Sequence, residues 1–130
     1  MTTFDDSNSP MLDTSSDTGT DNVFLCPKFH YAVELIGKRW TGAIINVLLQ
    51  SEASHAEQEG TRFHDIRSAI PELSDRMLSE RLKELEVADL VIREVYPETP
   101  VRVEYRLTEK GKSLKPMMTT ISDWAQEWVG

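Results

Sequence analysis

Apolar side chains recur at helical spacing through most of this chain. Phe29, Val33, Leu35 and Ile36 mark a first helix, with Pro27 at its first turn and Gly37 as its stop. Ile44, Ile45, Val47, Leu48 and Leu49 give a second helix, over residues 40–50, a wide apolar face, and Thr41 stands where it can help cap it. Residues 51–60 lack apolar periodicity and read as an exposed loop. Phe63, Ile66 and Ile70 then mark a short helix over residues 64–70, ended by Pro71. Ser74 is an N-cap candidate for a further helix carrying Met77, Leu78, Leu82 and Leu85. Asp89 sits where the chain must leave that helix, at a position that favours a left-handed backbone.

The period changes after Asp89. Residues 90–92 and 101–105 read as strands, and Pro97 and Pro100 stiffen the turn between them. From Thr108 a last helical pattern runs to the end, with a bend or a late start near Ser113 because Pro116 removes a helical hydrogen bond. Two helices joined by a tight turn and followed by a hairpin make a winged helix-turn-helix. The fold class expected is mainly α with an α+β character, a two-stranded β wing and a C-terminal dimerisation helix.

Composition divides the chain in two. Residues 1–23 are read as a disordered acidic tail, rich in Ser, Thr and Asp, and residues 24–130 as the folded domain. Five aspartates and no Lys or Arg lie in residues 1–25, which leaves 17 acidic and 14 basic side chains for the remainder, a balance of −3 out of the total −8. Contact with nucleic acid must therefore be local rather than spread over a basic surface. A single cysteine excludes an intramolecular disulfide framework and points to a reducing, cytoplasmic setting. No run of apolar residues is long enough to span a membrane, and no secretory leader is visible.

Several motifs appear in a fixed order. They are Cys26-Pro27; Leu35-Ile36-Gly37-Lys38-Arg39-Trp40; Arg62-Phe63; the run from Met77 to Glu86; Tyr96-Pro97-Glu98; and the run from Val103 to Gly111. Together they resemble the HxlR-type regulators, relatives of the MarR group, over roughly residues 26–128. The resemblance implies a cytoplasmic, homodimeric winged-helix transcription regulator, some of whose members sense thiol-reactive compounds through the N-terminal cysteine. The chain departs from that pattern at Arg39, where Lys is frequent, at the lone Gly37, at Ala88-Asp89 before Leu90, and in a longer segment 51–60.

With Leu78, Leu82 and Leu85 turned inward, Ser74, Arg76, Ser79 and Lys83 are left as candidate DNA contacts on a recognition helix, Arg76 first among them for a base edge. Arg102 near the wing tip and Lys38, Arg39 and Arg62 are candidates for phosphates or a minor groove. Acidic residues outnumber basic ones between Arg62 and Arg106. That keeps open a second reading, a winged-helix protein-interaction module that does not bind DNA. Leu114, Met117, Ile121, Trp124 and Trp128 are spaced 3, 4, 3, 4, a heptad seam suited to a second copy of the chain, with Phe29 and Val33 from the first helix beside it.

Cys26, at a helix N-terminus and near Lys28 and His30, suits a reactive thiolate; simple packing of a small cysteine is the alternative. The sequence holds no phosphate-binding glycine loop, no His-Glu-x-x-His and no paired-cysteine zinc pattern, so neither an enzyme nor a metal or cofactor site is expected. The partners implied are a double-stranded DNA operator, a second copy of the chain and a small thiol-reactive inducer, with no membrane.

Overall fold

The computed structural model describes residues 26–54 and 60–130. The acidic tail and His55 lie outside the described residues. The chain falls into two units, residues 1–38 and residues 39–130.

The described part of the first unit is helix α1 (Pro27–Ile36) and its flanks. Cys26 is the extended residue that caps it, Pro27 occupies the first turn where no N–H is needed, and Gly37 donates back to the Val33 carbonyl as the helix stops. No residue of α1 is buried.

The second unit holds α2 (Thr41–Ser54), β1 (Thr61–Arg62), α3 (Phe63–Ala69), α4 (Asp75–Val87), β2 (Val91–Tyr96), β3 (Arg102–Leu107), α5 (Glu109–Lys112) and α6 (Lys115–Trp128). Its core is built from the expected periodic positions. Ile44, Ile45 and Leu48 of α2 are fully buried, as are Ile66 of α3 and Leu78 of α4; Leu82 and Leu85 are nearly so. Leu73 plugs the turn between α3 and α4 with no exposed surface. Val103, Tyr105 and Leu107 alternate inward along β3 with Arg102, Glu104 and Arg106 on the other face.

Three boundaries differ from expectation. The wing is part of a three-stranded antiparallel sheet, ordered β1-β3-β2, rather than a two-stranded ribbon. Thr61 pairs with Tyr105 and Arg62 with Glu104. A strand of two residues carries no alternation long enough to reveal it. Helix α2 runs on to Ser54 rather than ending at Gln50. Its last turn is held by polar contacts: Glu52 accepts from the Leu107 N–H (2.7 Å), Ser51 accepts from the Thr61 hydroxyl (2.6 Å), and Ser54 donates to the Gln50 carbonyl (3.1 Å). The segment expected as a loop is therefore partly helical, and residues 55–59 lie outside the described residues. Strands β2 and β3 also extend beyond residues 90–92 and 101–105, in register from Val91 opposite Leu107 to Tyr96 opposite Arg102.

The C-terminal helical pattern is interrupted as Pro116 requires. Thr108 caps α5, accepting from the Gly111 N–H at 3.0 Å and donating to the Asp89 carbonyl at 2.6 Å. A Cβ on Gly111 would come within 2.2 Å of the Leu90 carbonyl oxygen, so only glycine permits this approach. Helix α6 then starts afresh with Pro116 in its first turn. Met118 is its one buried side chain.

Candidate nucleic-acid interface

The helix-turn-helix is fastened at its turn. Ser74 adopts the extended conformation of an N-cap and accepts from the Met77 N–H at 3.1 Å. Arg67 of α3 reaches across with Nε 2.9 Å from the Asp75 carboxylate and with Nη1 near the carbonyls of Ile70 and Pro71. That contact ties α3 to the first residue of α4. Asp75 and Arg67 are eight residues apart, a spacing with no regular signal in sequence. At the far end of α4, Asp89 takes the left-handed conformation (φ 64°), as its position suggested.

With its leucines inward, α4 presents Asp75, Arg76, Ser79, Glu80 and Lys83 to solvent. The Arg76 side chain is 90% exposed and its contact with Glu80 is long, 3.4 Å. Such an exposed i, i+4 pair is weak and readily exchanged for another partner. Four predicted residues, Ser74, Arg76, Ser79 and Lys83, thus lie exposed on one helix. Arg81 is turned differently. It donates to the Arg39 carbonyl at 2.9 Å and to both oxygens of Glu84, so it braces the entry to α2. Arg39 is itself exposed, its guanidinium 5.1 Å from the Trp40 ring centre, while Lys38 is the exposed last residue of the first unit.

The wing carries a ladder of charge that sequence reading missed. Arg62, Glu104 and Glu94 pair across the three strands. Arg102 and Arg106 follow on the same face of β3. Arg106 donates to Glu94 at 2.6 Å, and Tyr96 donates its hydroxyl proton to the same carboxylate at 3.0 Å. Arg102 donates to Glu98 through Nε (3.2 Å) and Nη2 (2.8 Å), and through Nη1 to Glu104. Its guanidinium also lies 4.0 Å from the Tyr96 ring centre. These contacts move protons in consistent directions. The Arg102 guanidinium holds the Glu98 carboxyl below its ordinary pKa, and Glu98 and Glu104 push that of Arg102 up. Glu94 raises Tyr96 by holding its hydroxyl proton, and likewise raises Arg106. Period-two spacing of Arg102, Glu104 and Arg106 was the available signal.

Two further predicted sites lie elsewhere. Along α6, Met117, Ile121, Trp124 (61% exposed) and Trp128 (68%) are all exposed, with Leu114 half-buried. Their stripe is not core in the single chain. Phe29 and Val33 of α1 are likewise exposed. Cys26 is half-buried. Its sulfur makes no cap bond of good geometry, yet the backbone N–H groups of Phe29 and Lys28 hold its pKa below the ordinary thiol value; the Lys28 charge adds to this and desolvation opposes it.

A clamped turn, an exposed polar face on the second helix and a hairpin behind it define a winged helix-turn-helix, the architecture of DNA-binding transcription regulators. The family model described as HxlR-like helix-turn-helix matches residues 35–130, and the chain belongs to this family. It is 50% identical over 105 residues to the HTH-type transcriptional regulator YvaP of Bacillus subtilis (strain 168), covering 81% of this chain and 90% of that one. The reduced form of the transcriptional regulator YodB from B. subtilis superposes with a TM-score of 0.67 at 45% identity, over 80% of this chain and 94% of that one. The quinone-bound form of YodB gives 0.63 at 40% identity, over 79% and 100%. This chain is accordingly a DNA-binding transcription regulator. None of these relatives favours the reading as an interaction module without DNA. Among the described residues, no helix is long and apolar enough to cross a membrane.

Proposed function

We propose that the chain acts in the cytoplasm as a homodimeric repressor of a pseudo-palindromic operator, and that it is not an enzyme. The observation that carries this reading is the division of α4 into an inner face of buried Leu78, Leu82 and Leu85 and an outer face bearing Arg76, Ser79 and Lys83, with Ser74 exposed at its cap. One such helix fits one major groove, and two related by a two-fold axis meet half-sites about 34 Å apart. Arg76 reads a base edge, Ser79 and Lys83 support it, and Arg102, Arg62, Lys38 and Arg39 meet phosphates. The exposed stripe of Met117, Ile121, Trp124 and Trp128, continued by Leu114, supplies the surface for the second copy, since aromatic side chains of this size need a large apolar partner, and Phe29 and Val33 of α1 offer exposed apolar side chains of their own.

Cys26 is the switch in this reading. Backbone N–H groups that favour its thiolate favour attack on electrophiles at neutral pH. With a quinone, the Cys26 sulfur bonds to a ring carbon while the ring takes up the electron pair and a proton, leaving an aryl thioether. YodB, a relative, has been crystallised with quinone bound, which supports quinones as the inducer class. The test is a mobility shift with duplex DNA from upstream of the chain's own gene. The parent binds, quinone or diamide changes the binding, and Cys26→Ser binds but does not respond. An equal response in Cys26→Ser would place the sensing chemistry elsewhere.

A further inference from the structure

Arg102 is engaged on nearly every side. Its Nε–Nη2 edge is forked onto Glu98, its Nη1 meets Glu104, and one face lies against Tyr96. The two carboxylates differ in kind. Glu104 is buried and also accepts the Gly60 N–H at 3.1 Å, so it belongs to the sheet. Glu98 stands at the wing tip between β2 and β3, and its side chain is 52% exposed. A forked carboxylate presents two oxygens to a guanidinium edge in the same way that a phosphate does. A phosphate that takes the Nε–Nη2 edge of Arg102 must therefore exchange with Glu98, and must do so against a negative charge already in place.

We propose that Glu98 is an affinity-setting residue of the wing: it occupies the guanidinium edge of Arg102 that would otherwise grip a DNA phosphate. This rests on the DNA-binding reading above and deepens it. The wing arginine is held in reserve, and α4 carries most of the contact energy. Arg62 lies close enough to Glu98 to add to the field that keeps it ionised. The restraint therefore persists at neutral pH.

The variant that tests this is Glu98→Gln, which keeps the shape of the side chain and a carbonyl acceptor for Arg102 but removes the charge. Glu127→Gln, an exposed change of equal charge on α6, is the control. Binding is measured by fluorescence anisotropy across a salt series, on duplex DNA from the chain's own upstream region and on an unrelated duplex of equal length. Glu98→Gln is expected to bind both duplexes several-fold tighter at low salt. The slope of log K against log salt should steepen by about 0.9 per wing, so that for each fourfold rise in salt the gain shrinks roughly 3.5-fold per wing, or about 12-fold for a dimer that engages both. Glu127→Gln should match the parent. Adding Arg102→Gln to Glu98→Gln should abolish the gain. The inference is overturned if Glu98→Gln binds no tighter than the parent, if Glu127→Gln gains as much, if the double variant keeps the gain, or if Glu98→Gln binds more weakly with an unchanged slope. That last result would make Glu98 a brace for the hairpin. Should the parent bind neither duplex at low salt, the DNA reading itself fails; a parent that binds while Glu98→Gln changes nothing removes this inference alone.

Discussion

Helix α4 and the wing hold arginines in opposite ways. On α4, Arg76 stands almost fully in solvent with one long contact to Glu80, whereas in the wing Arg102 is 25% exposed and bound by two carboxylates and an aromatic face. Both belong to the same motif and both carry one charge. The difference is set by the backbone beneath them. A helix spaces its outer side chains around a cylinder, so an i, i+4 neighbour meets Arg76 only at arm's length. An antiparallel ladder places Arg102 directly opposite Tyr96 and two residues from Glu104, where short contacts are unavoidable. Of this pair, the charge offered to a partner is on the helix and the charge used internally is on the sheet.

The harshest way to break the comparison is to remove what seats α4. Leu82→Ala deletes a buried side chain from its inner face and should cost about 2–5 kcal/mol of folding stability, read as a lowered midpoint in thermal or urea unfolding. A loss well below 1 kcal/mol would mean that α4 is not held by its leucines. Arg76→Ala acts on the outer face alone. It should leave the melt unchanged, weaken operator binding by about 1–3 kcal/mol and relax preference at one base position, measured on a panel of single-base operator variants. Equal weakening on every sequence would reassign Arg76 to a phosphate.

The smallest effect is at the wing and appears as a function of pH. Because Glu98 is held below its ordinary pKa by Arg102, its contribution to stability is complete above the unfolded value, about 4.3. That contribution is lost as the pH falls through the lower, folded value. Unfolding curves of the parent and Glu98→Gln should therefore differ slightly above about pH 4.3 and converge in stronger acid. A constant gap over the whole range would show that charge on Glu98 is irrelevant to the wing.

What could be read from the chain follows from the range of each interaction. The inner faces of α2 and α4, the Ser74 cap, the turn at Asp89 and the fresh start of α6 near Pro116 are set by neighbours within four residues, and each matches its expectation. Strand β1, the last turn of α2 and the clamp of Arg67 on Asp75 depend on partners 8 to 55 residues away, through Tyr105, Leu107, Thr61 and Asp75. No local pattern encodes them. The outer face of α4 was legible because it is the complement of a clear apolar stripe. The engagement of Arg102 was not, because it depends on a strand register that prolines at 97 and 100 leave open.

Trp40, between α1 and α2, sits at φ 76°, a conformation that costs a bulky residue roughly 1–2 kcal/mol and persists only where its surroundings enforce it. The carbonyl just before it, that of Arg39, is the one gripped by Arg81. The entry to α2 is thus tied to α4 by a hydrogen bond from Arg81. That tie couples the strained backbone at Trp40, through the Arg39 carbonyl, to the helix whose outer face carries Arg76.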